Sequence, residues 1–291
     1  MAGIKKILTT LPVLAVGTLA FVATTATTHE VAAQEIQLTG PLKGAPAVRR
    51  LRLYREGRFE FAPSFTSTIL DEYKRTLLVG ARLQYGITDW LGIGVWGAFG
   101  AIPVATGLTD QINDPSRPRD GLTQMNVGTD KTGSFKDQAA SIQYIAMPQL
   151  TAIPFRGKFA LFQSIFADVD AYLFAGFGVV GTKERADCAN FIACAGNHGT
   201  EGKSHLAPTW GLGFNFYLNG FMALGFEYRM IPFAWNRSGF DSRGLDADGN
   251  QSDSGKFPDG RIDNKDQTYK FNQMLSLFIG FSFPTKPKIT D

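Results

Sequence analysis

Apolar and polar positions alternate almost without a break along residues 269–283, YKFNQMLSLFIGFSF. Tyr269, Phe271, Leu275, Leu277, Ile279, Phe281 and Phe283 share one side, with Gln273 as the polar exception. Lys270, Asn272, Ser276, Gly280 and Ser282 share the other, joined by Met274 and Phe278. Successive side chains of a strand point to opposite faces, so the stretch predicts a strand with one greasy face and one smaller, mixed face.

Seven earlier segments repeat the pattern. RFEFAPSFTST sets Phe59, Phe61, Pro63 and Phe65 against Arg58, Glu60, Ala62, Ser64 and Thr66. TLLVGARLQYGI opposes Leu77, Val79, Leu83 and Tyr85 to Thr76, Gly80, Arg82 and Gln84. WLGIGVWGAFG offers Leu91, Ile93, Val95 and Phe99, and SIQYIAMPQLTAI offers Ile142, Tyr144, Ala146 and Leu150 against Ser141, Gln143, Gln149 and Thr151. DVDAYLFAGFGVVG carries Val169, Leu173, Phe177 and Val179, with Asp170 on the other face. The sixth segment has Leu206, Trp210, Leu212, Phe214 and Phe216 opposite Thr209, Gly211, Gly213, Asn215 and Tyr217. The seventh, FMALGFEYRMI, places Glu227 and Arg229 opposite Met222, Leu224, Phe226 and Tyr228. Pro148 and Pro208 interrupt two of the segments, and each removes a ladder donor.

Eight such strands predict an all-β protein, an eight-stranded antiparallel up-and-down transmembrane β-barrel over residues 58–283. Loop lengths test the prediction, because a membrane barrel keeps long connections on one side and tight turns on the other. The odd connections are 68–74, 101–138, 184–204 and 236–268; the even ones are 87–90, 154–168 and 218–220. Two exceptions stand out, a short first loop and a long second turn, PFRGKFALFQSIFAD. A soluble β-sandwich also alternates, but would not segregate its loops by length, and a lipocalin-like barrel would be greasy inside.

The chain's start changes the compartment. Lys5 and Lys6, the apolar run LPVLAVGTLAFVA and the small residues Val31-Ala32-Ala33 predict a secretory signal peptide at 1–33. The run is short for a spanning helix. A mature chain of about 258 residues would follow, with residues 34–57 as a periplasmic segment and 284–291 as a periplasmic tail in a bacterial outer membrane. The net charge of +3 is too small to argue for nucleic acid. Cys188 and Cys194 are expected to form one disulfide in an oxidising compartment, without the neighbouring ligands a metal site requires.

Inward charges are the candidate chemistry. Arg58, Glu60, Arg82, Asp170, Glu227 and Arg229 share a lumen narrow enough to be filled by its own side chains. Charges of both signs enclosed together should pair, which closes the barrel; a narrow path for ions or small solutes is the alternative. Asp246, Asp248, Asn250 and Asp253 resemble a calcium loop, but its twelfth position is Phe257 where an acidic ligand is required. Catalysis finds little footing: the mature chain keeps His198 and His205, Ser204-His205 stands where a loop meets the sixth strand, and no G-x-S-x-G elbow occurs. An outer-membrane lipid-modifying enzyme ranks third. No cofactor is expected.

EIQLTGPLKGAPAVRRLRLYREGRFEFAP, then ILDEY and GARLQYGITDWLGIGVWGAFG, resemble the outer-membrane β-barrel domain family of myxobacteria and related proteobacteria. GKFALFQSIFADVDAYLFAGFGVVGT is similar to that family's middle block, and the architecture is similar to small OmpA-type barrels. The resemblance implies an integral outer-membrane protein and brings no activity. Ser276, Phe281 and Phe283 match places of the C-terminal signal by which such barrels are assembled, while Phe278 stands where glycine is expected and PTKPKITD follows. Expected partners are outer-membrane lipid and lipopolysaccharide and the barrel-assembly machinery; the basic residues Arg49, Arg50, Arg52, Arg55 and Arg58 read first as a solvated linker folded under the barrel mouth, with lipid phosphates, peptidoglycan or a periplasmic partner as the alternative. The protein is expected to be a monomer.

Overall fold

The computed structural model describes residues 54–114, 116, 135–161, 165–187 and 199–285, with the backbone alone for 159–161 and 165–167. The segments assigned to the signal peptide and the tail lie outside these residues, apart from Pro284 and Thr285 of the tail, as do Cys188, Cys194 and His198.

Eight long strands close into a barrel: β1 (Phe59–Ile69), β2 (Lys74–Gly86), β3 (Leu91–Ala105), β4 (Ser141–Leu161), β5 (Ile165–Arg185), β6 (Thr200–Tyr217), β7 (Met222–Trp235) and β10 (Thr268–Phe283). Each pairs antiparallel with its sequence neighbour, and β1 closes on β10 with Phe59 opposite Phe283 and Phe61 opposite Phe281. Two-residue strands β8 (Gly244–Leu245) and β9 (Phe257–Pro258) pair within the last loop. Short helices α1 (Gly107–Asn113) and α2 (Phe135–Gln138) lie in the loop before β4. Among the described residues no helix is long and apolar enough to cross a membrane.

The wall is apolar outside. Phe99 is 72% exposed and Leu206 69%, and Phe61, Val79, Ile93, Leu150, Leu173, Phe214, Leu224 and Leu277 also face outward. Along β10, Phe271 and Phe283 are exposed near opposite ends of the strand. About twelve residues of strand at about 3.3 Å each, tilted by about 40°, give roughly 30 Å of height. That accommodates an outward apolar band about 25 Å tall. No water-soluble barrel would leave such a band uncovered.

Two readings of the sequence change. Residues 154–168 are not a long turn: Phe155 to Leu161 pair with Ala171 to Ile165 as a continuation of the β4–β5 hairpin, past a register shift between Ala152 and Phe155. Pro154 and Gly157 look like turn residues in sequence, yet Pro154 sits inside that register shift, where no ladder donor is needed. With this change the even connections are all short. Ile142 also points inward and is buried, while Gln143 is exposed, the reverse of the alternation. A register shift between Ile142 and Tyr144 is the cause, since one extra residue exchanges the two faces.

Candidate functional site

The lumen is packed in layers. Its middle is a charged cluster contributed by β1, β2, β5 and β7. Arg82 donates to Glu60 at 2.7 Å, to Glu227 at 3.0 Å and to the Tyr172 hydroxyl at 2.5 Å, and that hydroxyl donates to Glu227 at 3.0 Å. Arg229 donates to Glu227 Oε1 from Nη2 at 2.6 Å and from Nε at 3.1 Å. It also reaches Gln149 Oε1 at 2.8 Å and Thr209 Oγ1 at 3.2 Å. Glu227 therefore joins the two arginines. Two guanidinium groups and two carboxylates balance, as burial demands.

Aromatic rings surround this cluster. The Arg82 guanidinium lies 4.3 Å over Phe278 and 5.0 Å over Tyr172, and Arg229 lies 4.2 Å over both Trp96 and Phe174. Stacking on ring faces stabilises a cation that has lost its water. Glycines create the room. A Cβ on Gly225 would meet Phe278 Cζ at 1.9 Å, one on Gly213 would meet Tyr172 Cζ at 2.3 Å, and one on Gly211 would meet Phe174 Cζ at 2.5 Å. Phe278 is thus buried opposite Gly225 in the β7–β10 register. Its place in the C-terminal strand follows from packing against Arg82.

Of the six inward charges expected to share one network, four do so: Glu60, Arg82, Glu227 and Arg229. The other two are part of a separate cluster at the mouth where the chain enters β1. Asp170 is ion-paired with Arg55, which precedes the barrel, donates to the Tyr217 hydroxyl at 2.9 Å and lies over that ring at 4.8 Å. Arg58 donates to the carbonyls of Gly220 at 2.7 Å and Pro284 at 3.1 Å. It ties the strand ends together and takes no part in the central network, because it stands one residue before β1. The basic segment therefore folds into the mouth at Arg55 and Arg58; Arg49, Arg50 and Arg52 lie outside the described residues. A cavity of about 20 Å³ beside Arg55, Arg58, Glu60 and Gln84 has room for a single water.

Above the charges the lumen turns apolar. Leu78, Ile145, Met147, Val180, Ala207, Ile231, Phe233, Trp235 and Met274 form one buried cluster. At its rim, His205 Nε2 meets Glu184 Oε1 at 2.7 Å and Thr182 Oγ1 at 3.0 Å. Ser204 faces outward, where its hydroxyl meets Tyr144 Oη at 2.9 Å. Both residues lie inside β6, which begins at Thr200 and not after them. As neighbours in a strand they point to opposite faces and do not meet. Thr182 and Glu184 share one imidazole nitrogen, whereas a nucleophile–base–carboxylate relay needs both.

Loops cover this end. Phe135 of α2 packs against Tyr73 and Phe240 with ring centroids 5.4 and 5.3 Å apart. Arg185 donates to Gln138 Oε1 and to the Gly239 carbonyl, both at 3.0 Å. In the last loop the carboxylates hold backbone. Asp241 accepts from Gly260 N at 2.8 Å and Asp259 N at 3.2 Å, and burial pushes its carboxyl up to about 6. Asp246 accepts from Asp248 N at 3.0 Å and Asn250 N at 2.9 Å, closing a turn. Among the described residues no group of three or more His, Cys, Asp or Glu is placed to hold a metal ion.

The reading from sequence missed Trp96, Tyr172, Phe174 and Phe278 as members of the charged site. Their inward parity and the glycines on neighbouring strands were the available signal.

A wall apolar outside and polar within is the construction of bacterial outer-membrane barrels, and this chain is a transmembrane β-barrel of that class. No family model matches the chain, and no curated protein matches it. Solved structures similar to it include the N-terminal β-barrel domain of Pseudomonas aeruginosa OprF, at 10% identity and TM-score 0.38 over 78% of this chain and 98% of that one. Ail, the attachment invasion locus protein of Yersinia pestis, matches at 10% identity and TM-score 0.29 over 78% and 99%. Neisserial surface protein A matches at 10% identity and TM-score 0.32 over 77% and 93%.

Proposed function

We propose that the protein is a closed, monomeric, integral barrel of the bacterial outer membrane with a structural or surface-interaction role. The observation that carries this reading is the Arg82–Glu227–Arg229 cluster, which joins side chains of β2 and β7 across the bore and is walled by Trp96, Tyr172, Phe174 and Phe278. A solute path would have to break charge-assisted bonds shielded from water. The loops over the other mouth then form the contact surface toward lipopolysaccharide and the cell's surroundings.

The same reading assigns residues 1–33 to export and places Arg55 and Arg58 on the periplasmic side. It assigns the β1–β10 closure, with Ser276, Phe281 and Phe283, to insertion by the barrel-assembly machinery. Ser276 Oγ meets Thr66 Oγ1 at 2.8 Å across that closure. The family resemblance to myxobacterial outer-membrane barrels belongs to this proposal, as does the absence of an enzymatic role, supported by the opposed faces of Ser204 and His205.

Conductance in a planar lipid bilayer tests the closed lumen. Insertion of the purified protein is expected to leave the current at the leak level. Discrete, reproducible openings would establish a channel instead.

A further inference from the structure

At the upper rim of the apolar band, one tyrosine lies along the outer wall instead of standing out from it. Tyr144 of β4 is paired with Gly181 of β5, which is paired in turn with Ser204 of β6. The Tyr144 ring crosses over Gly181, where a Cβ would run into its Cε1, Cζ and Cδ1 atoms. On the far side its hydroxyl meets Ser204 Oγ at 2.9 Å. Glycine at 181 lets the ring lie down, and the serine pins it. Tyr144 is still 39% exposed, so one face of the ring is turned outward.

A cation and a gap stand directly above this plate. Lys183 follows Gly181 by two residues on the same face of β5 and is exposed. Its ladder partners are Ser141, which is buried, and Gly202, which has no side chain. Gly181 and Gly202 thus leave the wall bare beside the ring and the lysine. Exposed Gln143 borders the gap on the β4 side, its amide donating to Ser141 Oγ at 3.1 Å.

The acids nearby are engaged elsewhere. Glu201 and Asp187 pair with Lys203 at 3.2 and 3.1 Å, and Glu184 is buried against His205. Among the described residues no carboxylate forms an ion pair with Lys183. Lys74 lies within electrostatic reach of Lys183 and adds a second cation, with Asp137 in reach of Lys74. Below the plate the wall is apolar: Leu206, two residues from Ser204, is 69% exposed, and Phe177 is 53%.

A tyrosine at a membrane rim ordinarily turns its hydroxyl to water and headgroups. Here Ser204 takes the hydroxyl, and what Tyr144 offers is the ring face. That face is electron-rich and suits the C–H edge of a sugar ring, while an ammonium beside it suits a phosphate. A phospholipid head supplies a phosphate for the lysine but nothing flat for the ring.

We propose that Tyr144 and Lys183 form a site on the outer wall for the phosphorylated sugar headgroup of an outer-leaflet glycolipid. The sugar stacks on the Tyr144 ring in the gap left by Gly181 and Gly202, and its phosphate meets Lys183. The acyl chains run down over Leu206 and Phe177, continuing the lipid-facing band. This site rests on the outer-membrane placement given above, with the long loops outward.

Native mass spectrometry of the detergent-purified full chain tests it, with lipid A carrying both phosphates titrated against phosphatidylglycerol. One lipid A should bind about tenfold more tightly than phosphatidylglycerol. Lys183→Gln and Tyr144→Leu should each lower that preference about three- to tenfold, the worth of one charge-assisted contact or one stacked ring. Arg75→Gln removes another exposed cation, on β2, and should leave the preference unchanged. Lipid A stripped of its phosphates should no longer distinguish Lys183→Gln from the unmodified protein, yet should still bind Tyr144→Leu more weakly. Retention of fast unheated gel mobility shows that each variant is folded, and the comparison of lipids needs no variant. Equal binding of lipid A and phosphatidylglycerol, or equal losses in Lys183→Gln and Arg75→Gln, would overturn the site and leave the lipid-facing wall in place. A protein that holds neither lipid would overturn the wall as well.

Discussion

Replacing Glu227 with alanine should lower the unfolding free energy of the barrel by about 3–5 kcal/mol, the cost of leaving buried cations without their partner. Glu227 is 2% exposed, and its two oxygens accept from Arg82, Arg229 and the Tyr172 hydroxyl. Its removal strands Arg229, whose remaining acceptors, Gln149 and Thr209, are neutral. Arg82 keeps Glu60. Urea titration of the protein folded in lipid vesicles, followed by tryptophan fluorescence, measures the difference. Glu72→Ala is the control: this half-exposed carboxylate pairs with Arg237 at 3.1 Å, and its loss should cost about 1 kcal/mol or less. A Glu227→Ala protein as stable as that control would show that the central cluster does not hold the barrel together.

The second large effect comes from adding atoms. Gly225→Val would drive a methyl-bearing carbon into Phe278, whose ring has the Arg82 guanidinium 4.3 Å over it and so has little room to turn away. Overpacking of this kind costs about 1–3 kcal/mol, and the displaced ring also loosens Arg82. Phe278→Ala alone leaves a cavity and should cost about 3–5 kcal/mol. Combined, the two changes should be markedly less than additive, because the valine occupies space that the ring has vacated. Additive losses in the same urea titration would mean that Gly225 and Phe278 do not share the space assigned to them.

That pair also marks where sequence patterning stops being informative. Period-two alternation identified the outward faces of nearly every strand and placed Glu60, Arg82, Glu227 and Arg229 inside, because a strand has only two faces. It failed at Ile142 and Gln143, where one extra residue in the ladder exchanges inside for outside and leaves no trace in composition. It failed again at 154–168, where Pro154 and Gly157 carry turn-like signals inside a hairpin that the other strand stabilises. Asp170 could be placed in the lumen but not matched with Arg55, since the two are separated by four complete strands. The aromatic plates were hidden for a different reason. Hydrophobicity alone assigns Trp96 and Phe174 to lipid; Phe278 falls on the mixed face by alternation, and the glycines across the ladder make room for Phe174 and Phe278 beside a guanidinium.

The end of the β6–β7 ladder at Trp210 and Met230 was half legible: Pro208 stood out as a residue unfit for a central strand, while Pro232 gains meaning only once the register brings it to the same break.

Gel mobility of the protein extracted from membranes, with and without boiling, tests the central claim most directly. A closed barrel with this internal packing should resist detergent when unheated and migrate as a compact species ahead of the boiled chain. Identical mobility before and after boiling, or recovery of the protein in the soluble fraction, would contradict a lipid-facing barrel.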